Sequence, residues 1–305
     1  MTPDGGLELR VGVHSHGQGM ETTLAQVAHE VIGIDIAKIK VVHGDTGLTP
    51  FSTGTYASRS MVMAGGAVRA ACEALLPRLV TIGAHLMQCA STAARFEAGR
   101  VVGPQAVIWI TEVADAWYRR PDRLPSDVDL AGLEATIGYR PKVDTGVFTY
   151  ASHAVAVAVD LELGQIEILD YVIVEDCGRM VNPMVVEGQT IGGVAQGIGT
   201  AIYEESPYDV NGQPLASTLA DYLLPGATEV PKVRIYHRET PSPYTAFGIK
   251  GMGEGGAIAP PAMIVNAVND ALRGLGVQLS ETPLMPRRLL AALERARGIN
   301  KPATS

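Results

Sequence analysis

HAVAVAVD (153–160) and QIEILDYVIV (165–174), followed by NPMVVEGQTIGGVAQGIGTAIY (182–203), decide how this chain is read. The first two runs alternate apolar with small or polar residues around Leu163-Gly164, the pattern of two adjacent antiparallel strands joined by a hairpin. The third opens on Asn182-Pro183 and reads as a helix, Met184–Tyr203, with Gly188, Gly192, Gly193, Gly197, Gly199 and Gln196 along it. Each helical glycine costs about 1 kcal/mol relative to alanine. A helix that keeps five packs against backbone or a ligand that needs the room. Strands followed by a close-packed helix give an α+β fold, with mixed sheets and packed helices.

Outward from this block the pattern repeats. Leu7–His14 reads as a strand, Gly17–Gly19 as a turn and Met20–Ile32 as a helix, with Leu24, Val27, Ala28 and Val31 at helical spacing. Ile39–Val42 is a second short strand, and the polar loop 44–55 leads to an Ala-rich helix from about Ser58 to Met87. Pro260-Pro261 start a helix through Leu272, and Pro286 precedes an amphipathic one, Arg287–Ala296. The stretch 104–150 gives no clear pattern beyond an apolar AVIWI run. No repeat or linker stands out, so residues 1–305 are expected to form one elongated unit without a clear internal boundary.

Composition narrows the function. Thirty-four glycines against four phenylalanines and two tryptophans suit a structure in which backbone comes close to something. A net charge of −8 with no Lys/Arg cluster argues against nucleic acid and against a membrane surface. No apolar run reaches the ~18 residues of a membrane span, and Met1–Arg10 lacks a secretion signal, so the expected location is cytoplasmic. Cys72, Cys89 and Cys177 stand in no CxxC spacing, so any iron–sulfur relay must lie on another chain. His14 and His16 share one face of a strand, but no third metal ligand stands nearby in sequence.

Four polar loops, three of them glycine-containing, precede or interrupt helices: 16–19 (HGQG), 55–58 (TYAS), 193–197 (GVAQG) and 251–256 (GMGEGG). Helix N-termini offer unpaired N–H groups and partial positive charge, which suit an anionic cofactor. Gln18 and Gln196 can each donate and accept hydrogen bonds; helix capping is the other use for either. Ser58 and Ser60 are equally readable as caps of the long helix. Glu254, with glycine on both sides, has no side-chain neighbour in sequence to pair with. In a dry cavity its proton affinity would rise and make it a base; on an open loop it would be a solvated charge. The run 251–256 also fits GxGxxG, the basis for an alternative reading as a nicotinamide-dependent oxidoreductase. Against that, PYTAFGIK (243–250) is no clean buried strand.

Taken in order, GQGMETTLAQVAHE (17–30), TGTYASRS (53–60), VEDCGRMVNPMVVEGQTIGGVAQGIGTAIYEE (174–205) and KGMGEGGAIAPPAMIVNAVNDAL (250–272) resemble the molybdopterin-binding region of the xanthine dehydrogenase and aldehyde oxidase family, nearest its carbon monoxide dehydrogenase-like branch. The resemblance covers nearly the whole chain and implies the second half of that family's molybdopterin-binding domain. It implies molybdenum held by a pterin cytosine dinucleotide, and hydroxylation of an electron-poor carbon in a small molecule, with water supplying the oxygen. Glu254 matches the family's glutamate base. By the same match His16, Gly17, Gln18, Ala57, Ser58, Ser60, Gln196 and Gly253 would line the cofactor, and Tyr56 would face substrate.

Many members carry GEPP where this chain has Glu254-Gly255-Gly256, which leaves the substrate open. The resemblance further implies iron–sulfur and FAD subunits as partners. Because the motif at residue 17 normally falls mid-subunit, it also implies an N-terminal half of the molybdenum subunit, without which this chain would be inactive. A non-catalytic cofactor-binding or scaffolding fragment of a split subunit is the other expectation.

Overall fold

The computed structural model describes residues 1–143, 147 and 149–298. It is α+β throughout, as the alternation of patterns predicts. The chain forms two compact units, Met1–Phe148 with Gly178–Asn182 and Pro241–Gly251, and Thr149–Cys177 with Pro183–Thr240 and Met252–Ser305.

In the first unit, β1 (Leu7–Arg10) pairs in parallel with β2 (Ile39–Val42), and α1 (Met20–Ile32) connects them. The predicted strand 7–14 is shorter because its partner ends at Val42; Val11 still donates to the Val42 carbonyl at 3.0 Å before the chain bends away. α2 (Ser60–Leu86) lies against α1. Leu24, Val27, Ala28 and Ile32 of α1 form one core with Val68, Cys72, Leu75, Leu79 and Ile82 of α2. β3 (Arg95–Glu97) and β4 (Arg100–Val102) form a small antiparallel sheet with β5 (Val107–Trp109), which the unpatterned stretch supplies together with α3 (Ile110–Arg119). Residues 144–146 and 148 of that stretch lie outside the described residues.

The second unit is built on the hairpin β6 (Tyr150–Val159) and β7 (Ile166–Asp176), antiparallel with Val155 opposite Tyr171. α4 (Pro183–Ile198) follows, and its predicted continuation, Gly199–Tyr203, is π-wound. The widening closes with a hydrogen bond from Glu204 N to Gly199 O at 2.8 Å, and the Glu204 carboxylate fills the space where Gly199 lacks a side chain. β8 (Val233–Arg238) adds to β7 in parallel, so the sheet is mixed, as expected. α5 (Gly255–Ile258), α6 (Pro260–Ala271) and α7 (Pro286–Ala296) complete the unit. Tyr171 and Ile173 of β7 share a core with Val194 and Ile198 of α4, Ile264 and Val268 of α6, and Leu289 and Leu293 of α7. Period-two alternation leaves Ala154, Ala156 and Ala158 exposed on the opposite face of β6. No helix among the described residues is long and apolar enough to cross a membrane.

Candidate functional site

Two of the four predicted loops meet in the first unit. His14 N donates to Thr55 Oγ1 at 2.8 Å, and Thr55 Oγ1 donates to His14 O at 2.7 Å, joining the run that leads into His16, Gly17 and Gln18 to the turn Tyr56-Ala57-Ser58. Gln18 does not cap α1. Its Oε1 accepts a hydrogen bond from His16 N, while the N-cap position falls on Gly19. Gly17 takes φ +100 with open space where a side chain would be. His16 is exposed and Gln18 half-buried.

Below this loop the carboxylate of Glu21 accepts from Ser15 Oγ at 2.9 Å and lies 2.8 Å from His43 Nε2. Its own backbone amide, then the His43 and Ser15 contacts, hold that carboxyl below the ordinary range. His43 also brings a third imidazole to the pair noticed in the sequence, with ring centres 5.0 Å apart for His14 and His16 and 5.3 Å for His14 and His43. Among the described residues no group of three or more His, Cys, Asp or Glu side chains is arranged to hold a metal ion.

Ala57 and Ser58 both occupy the left-handed region, at φ 49 and 55, immediately before α2. Two consecutive non-glycine residues there cost on the order of 1–3 kcal/mol each, a strain that clusters at ligand sites. The turn leads into the N-terminus of a 27-residue helix, whose first unpaired amides and dipole suit phosphate oxygens. Arg59 adds fixed positive charge: Nη1 donates to Gly54 O at 2.7 Å and the guanidinium lies 5.2 Å from the Tyr56 ring. The N-cap position of α2 is Arg59, with no side-chain capping bond, so the capping role open to Ser58 and Ser60 in the sequence is not what the helix uses. Tyr56 is exposed. Gly251 fits against Ser58, whose carbonyl oxygen would stand 2.5 Å from any Cβ placed there.

The other two loops meet in the second unit. Gly193 on α4 faces the backbone of Gly256 and Ala257, and Gly197 faces Pro260. Gln189 Nε2 donates to Gly253 O at 3.4 Å. Gln189, Gly193, Gln196 and Gly197 recur at helical spacing, so Gln196 stands beside the face that carries the 253–256 loop. It is exposed, as are Gly253 and Glu254. Glu254 precedes α5 and its carbonyl accepts from Ala257 N at 3.0 Å. The close packing expected of the glycine-rich helix therefore holds at Gly193, Gly197 and Gly199, whereas Gly188 and Gly192 face open space. The GxGxxG match at 251–256 follows no strand and opens a helix of four residues, so the nicotinamide-binding architecture is not formed.

The sequence reading quoted the stretches that contain Thr55, Arg59 and Gln189 but gave these three no role; they hold the loops. Cys72 and Cys177 are buried, and burial pushes both thiols up to about 11, far from thiolate chemistry at neutral pH. We expect Thr55→Val to release the first pair of loops: bound cofactor should fall severalfold with little change in melting temperature, since Thr55 lies outside the core. Unaltered cofactor content would show that the Thr55 bridge is dispensable.

The first unit thus presents two consecutive left-handed residues before a long helix, tied by Thr55 to a glycine-containing loop, and the second a carboxylate between glycines packed on α4. The chain belongs to the molybdopterin cofactor-binding domain family, whose pattern matches residues 1–231. It is 38% identical over 297 residues to the nicotine 6-hydroxylase large subunit of Paenarthrobacter nicotinovorans, covering 96% of this chain and 36% of that protein. With the carbon monoxide dehydrogenase large chain of Hydrogenophaga pseudoflava the identity is 32% over 295 residues, 96% of this chain and 36% of the relative. With the xanthine dehydrogenase molybdenum-binding subunit of Escherichia coli O157:H7 it is 29% over 296 residues, 95% and 38%. Quinoline 2-oxidoreductase from Pseudomonas putida 86 superposes with a TM-score of 0.86 at 39% identity, over 96% of this chain and 37% of that one. The chain thus spans little more than a third of each of these four relatives.

Proposed function

We propose that this chain is the C-terminal part of the large subunit of a molybdenum-pterin hydroxylase or dehydrogenase that oxidises an electron-poor carbon, in an aldehyde, an N-heterocycle or a similar small molecule. The observation that carries this reading is the Thr55 bridge between the Gln18 loop and the left-handed Ala57-Ser58 turn, in a chain of the molybdopterin-binding family. Their chemistry fits the cofactor: backbone amides, Arg59 and the hydroxyls of Ser58 and Ser60 suit a pyrophosphate, and the Gln18 amide suits a polar edge with both donors and acceptors. A cytosine dinucleotide form agrees with the resemblance of the four motifs. The group when bound supplies the two-electron redox chemistry, with water as the source of the incorporated oxygen.

The chain's own residues then have distinct tasks. His16, Gly17, Gln18, Ala57, Ser58, Ser60, Gln196 and Gly253 hold and orient the cofactor, and Tyr56 faces the substrate. Glu254 accepts a proton at its carboxylate. The chain leaves that carboxylate exposed, so the dry surroundings that would sharpen its basicity come from the remainder of the subunit. Electrons leave through iron–sulfur and FAD subunits, and the working assembly is cytoplasmic.

The test is to co-express the chain with an N-terminal half of the subunit and the two electron-transfer subunits, and to analyse the purified complex. Molybdenum near one per chain, and a cytosine-containing pterin, are expected. A complex without molybdenum from molybdate-fed cells, or one that binds nicotinamide dinucleotide instead, would overturn the proposal.

A further inference from the structure

Two adjacent carboxylates near the end of β7, Glu175 and Asp176, are only 2% and 1% exposed. Asp176 ties backbone together: Oδ1 accepts from Thr240 N at 3.2 Å and Oδ2 from Tyr150 Oη at 3.0 Å. Glu175 has a different environment. Both of its oxygens lie 2.9 Å from Thr190 Oγ1 on α4, and Oε1 lies 3.0 Å from His237 Nδ1 on β8. The other ring nitrogen of His237 is 3.7 Å from Glu187 on α4. Burial pushes the Glu175 carboxyl up, and the Thr190 and His237 contacts oppose it. An apolar residue of similar volume would hold β7 against α4 at lower cost, because a buried charge pays for desolvation even when paired.

The clue to its use is what Thr190 touches on its other side. A Cβ at Gly256 would lie 3.1 Å from both the Thr190 carbonyl carbon and Cα, and closer still to the carbonyl oxygen. The 253–256 loop thus rests on the Thr190 backbone, while the Thr190 side chain is held by Glu175. Gln189, one residue earlier, bonds Gly253 O. Thr190 Oγ1 has one proton and a third acceptor within reach, the Val186 carbonyl at 3.0 Å, which on its own would rotate the hydroxyl back onto the helix. Glu175 and the Val186 carbonyl compete for that proton, and the carboxylate ties the α4 turn that bears the hydroxyl to β7. Close-packed interiors transmit such displacements instead of absorbing them.

We propose that Glu175, acting through Thr190, is a positioning residue for the loop that carries Glu254. The inference rests on the reading of Glu254 as the base. It is tested in the assembled complex with Thr190→Val, Thr190→Ser and Glu175→Gln, and with Glu254→Gln in parallel. The first readout is backbone hydrogen exchange at residues 253–257: Thr190→Val and Glu175→Gln should speed it by roughly tenfold, with the β6–β7 core still protected and molybdenum content normal. The second is turnover of quinoline, nicotine, xanthine and an aromatic aldehyde, where kcat should fall by roughly 10- to 100-fold with KM within about twofold.

Thr190→Ser, which restores the hydroxyl, should recover most of both. Unchanged exchange in Thr190→Val and Glu175→Gln overturns the proposal, as does a loss that tracks molybdenum content or melting temperature, or a serine variant no better than valine. If Thr190→Val does not assemble, Glu175→Gln decides by the same measures. An active Glu254→Gln enzyme would remove the base reading and this inference with it; an inactive one beside a fully active Thr190→Val removes this inference alone.

Discussion

Glu254→Gln in the assembled complex should lower kcat by about 10²- to 10⁴-fold, the usual contribution of a positioned proton acceptor, while molybdenum and pterin content stay unchanged. The substitution keeps length, shape and one hydrogen-bonding oxygen but removes the ability to take a proton. Little else should change. The Glu254 side chain is exposed and its backbone carbonyl, which closes the turn onto Ala257, is untouched by the mutation. The melting temperature should therefore match the parent. Turnover within tenfold of the parent at normal cofactor loading would show that another group takes the proton.

Gly256→Ala should do comparable damage by another route. The added methyl would fall against the Thr190 backbone, nearer than the 3.0 Å that Cβ atoms keep, and backbone on both sides prevents an easy escape. Overpacking of this kind costs about 1–3 kcal/mol and occasionally more. For a chain of this size that corresponds to a melting temperature lower by several degrees. Because the strain is relieved by lifting the loop from α4, kcat should fall by about 10²-fold as well, the consequence of misplacing a reacting group by roughly an ångström. Gly192→Ala on α4 is the control: it faces open space and should be neutral or stabilising by up to about 1 kcal/mol. Equal effects at the two positions would refute the close-packing explanation.

The fold was legible wherever local pattern and tertiary environment agreed. Val155, Val157 and Val159 alternate with three alanines, and the hairpin turned out to have the expected partner strands. Leu24, Val27 and Ala28 at helical spacing placed α1 to the residue. The stretch 104–150 was illegible because its strand β5 has three residues and its helix α3 ten, too short for periodicity to accumulate. The π-wound end of α4 was hidden for a different reason, since Gly199–Tyr203 continues a helical pattern and only the Glu204 carboxylate shows why the winding widens.

Within the candidate site, the glycine loops announced themselves by composition. What organises them did not. Thr55, Glu175 and Thr190 act over 41 and 15 residues of sequence separation, and nothing in their immediate neighbours marks the partner. His43 was missed for the same reason, although it brings a third ring to His14 and His16.

The division of the chain into two units has a consequence for its biogenesis. The polypeptide leaves the first unit after residue 148, revisits it at Gly178–Asn182, and returns for Pro241–Gly251 before finishing in the second. Neither unit is therefore complete on a ribosome until Gly251 has been made and released from the exit tunnel, so the usual N-terminal-first order of domain folding is closed to this protein. The first unit closes only when Pro241–Gly251 joins it, a loop closure of long sequence separation that is slow by topology. The last segment to join the first unit is the one that seats Gly251 on the Ser58 turn and hands the chain on to Glu254.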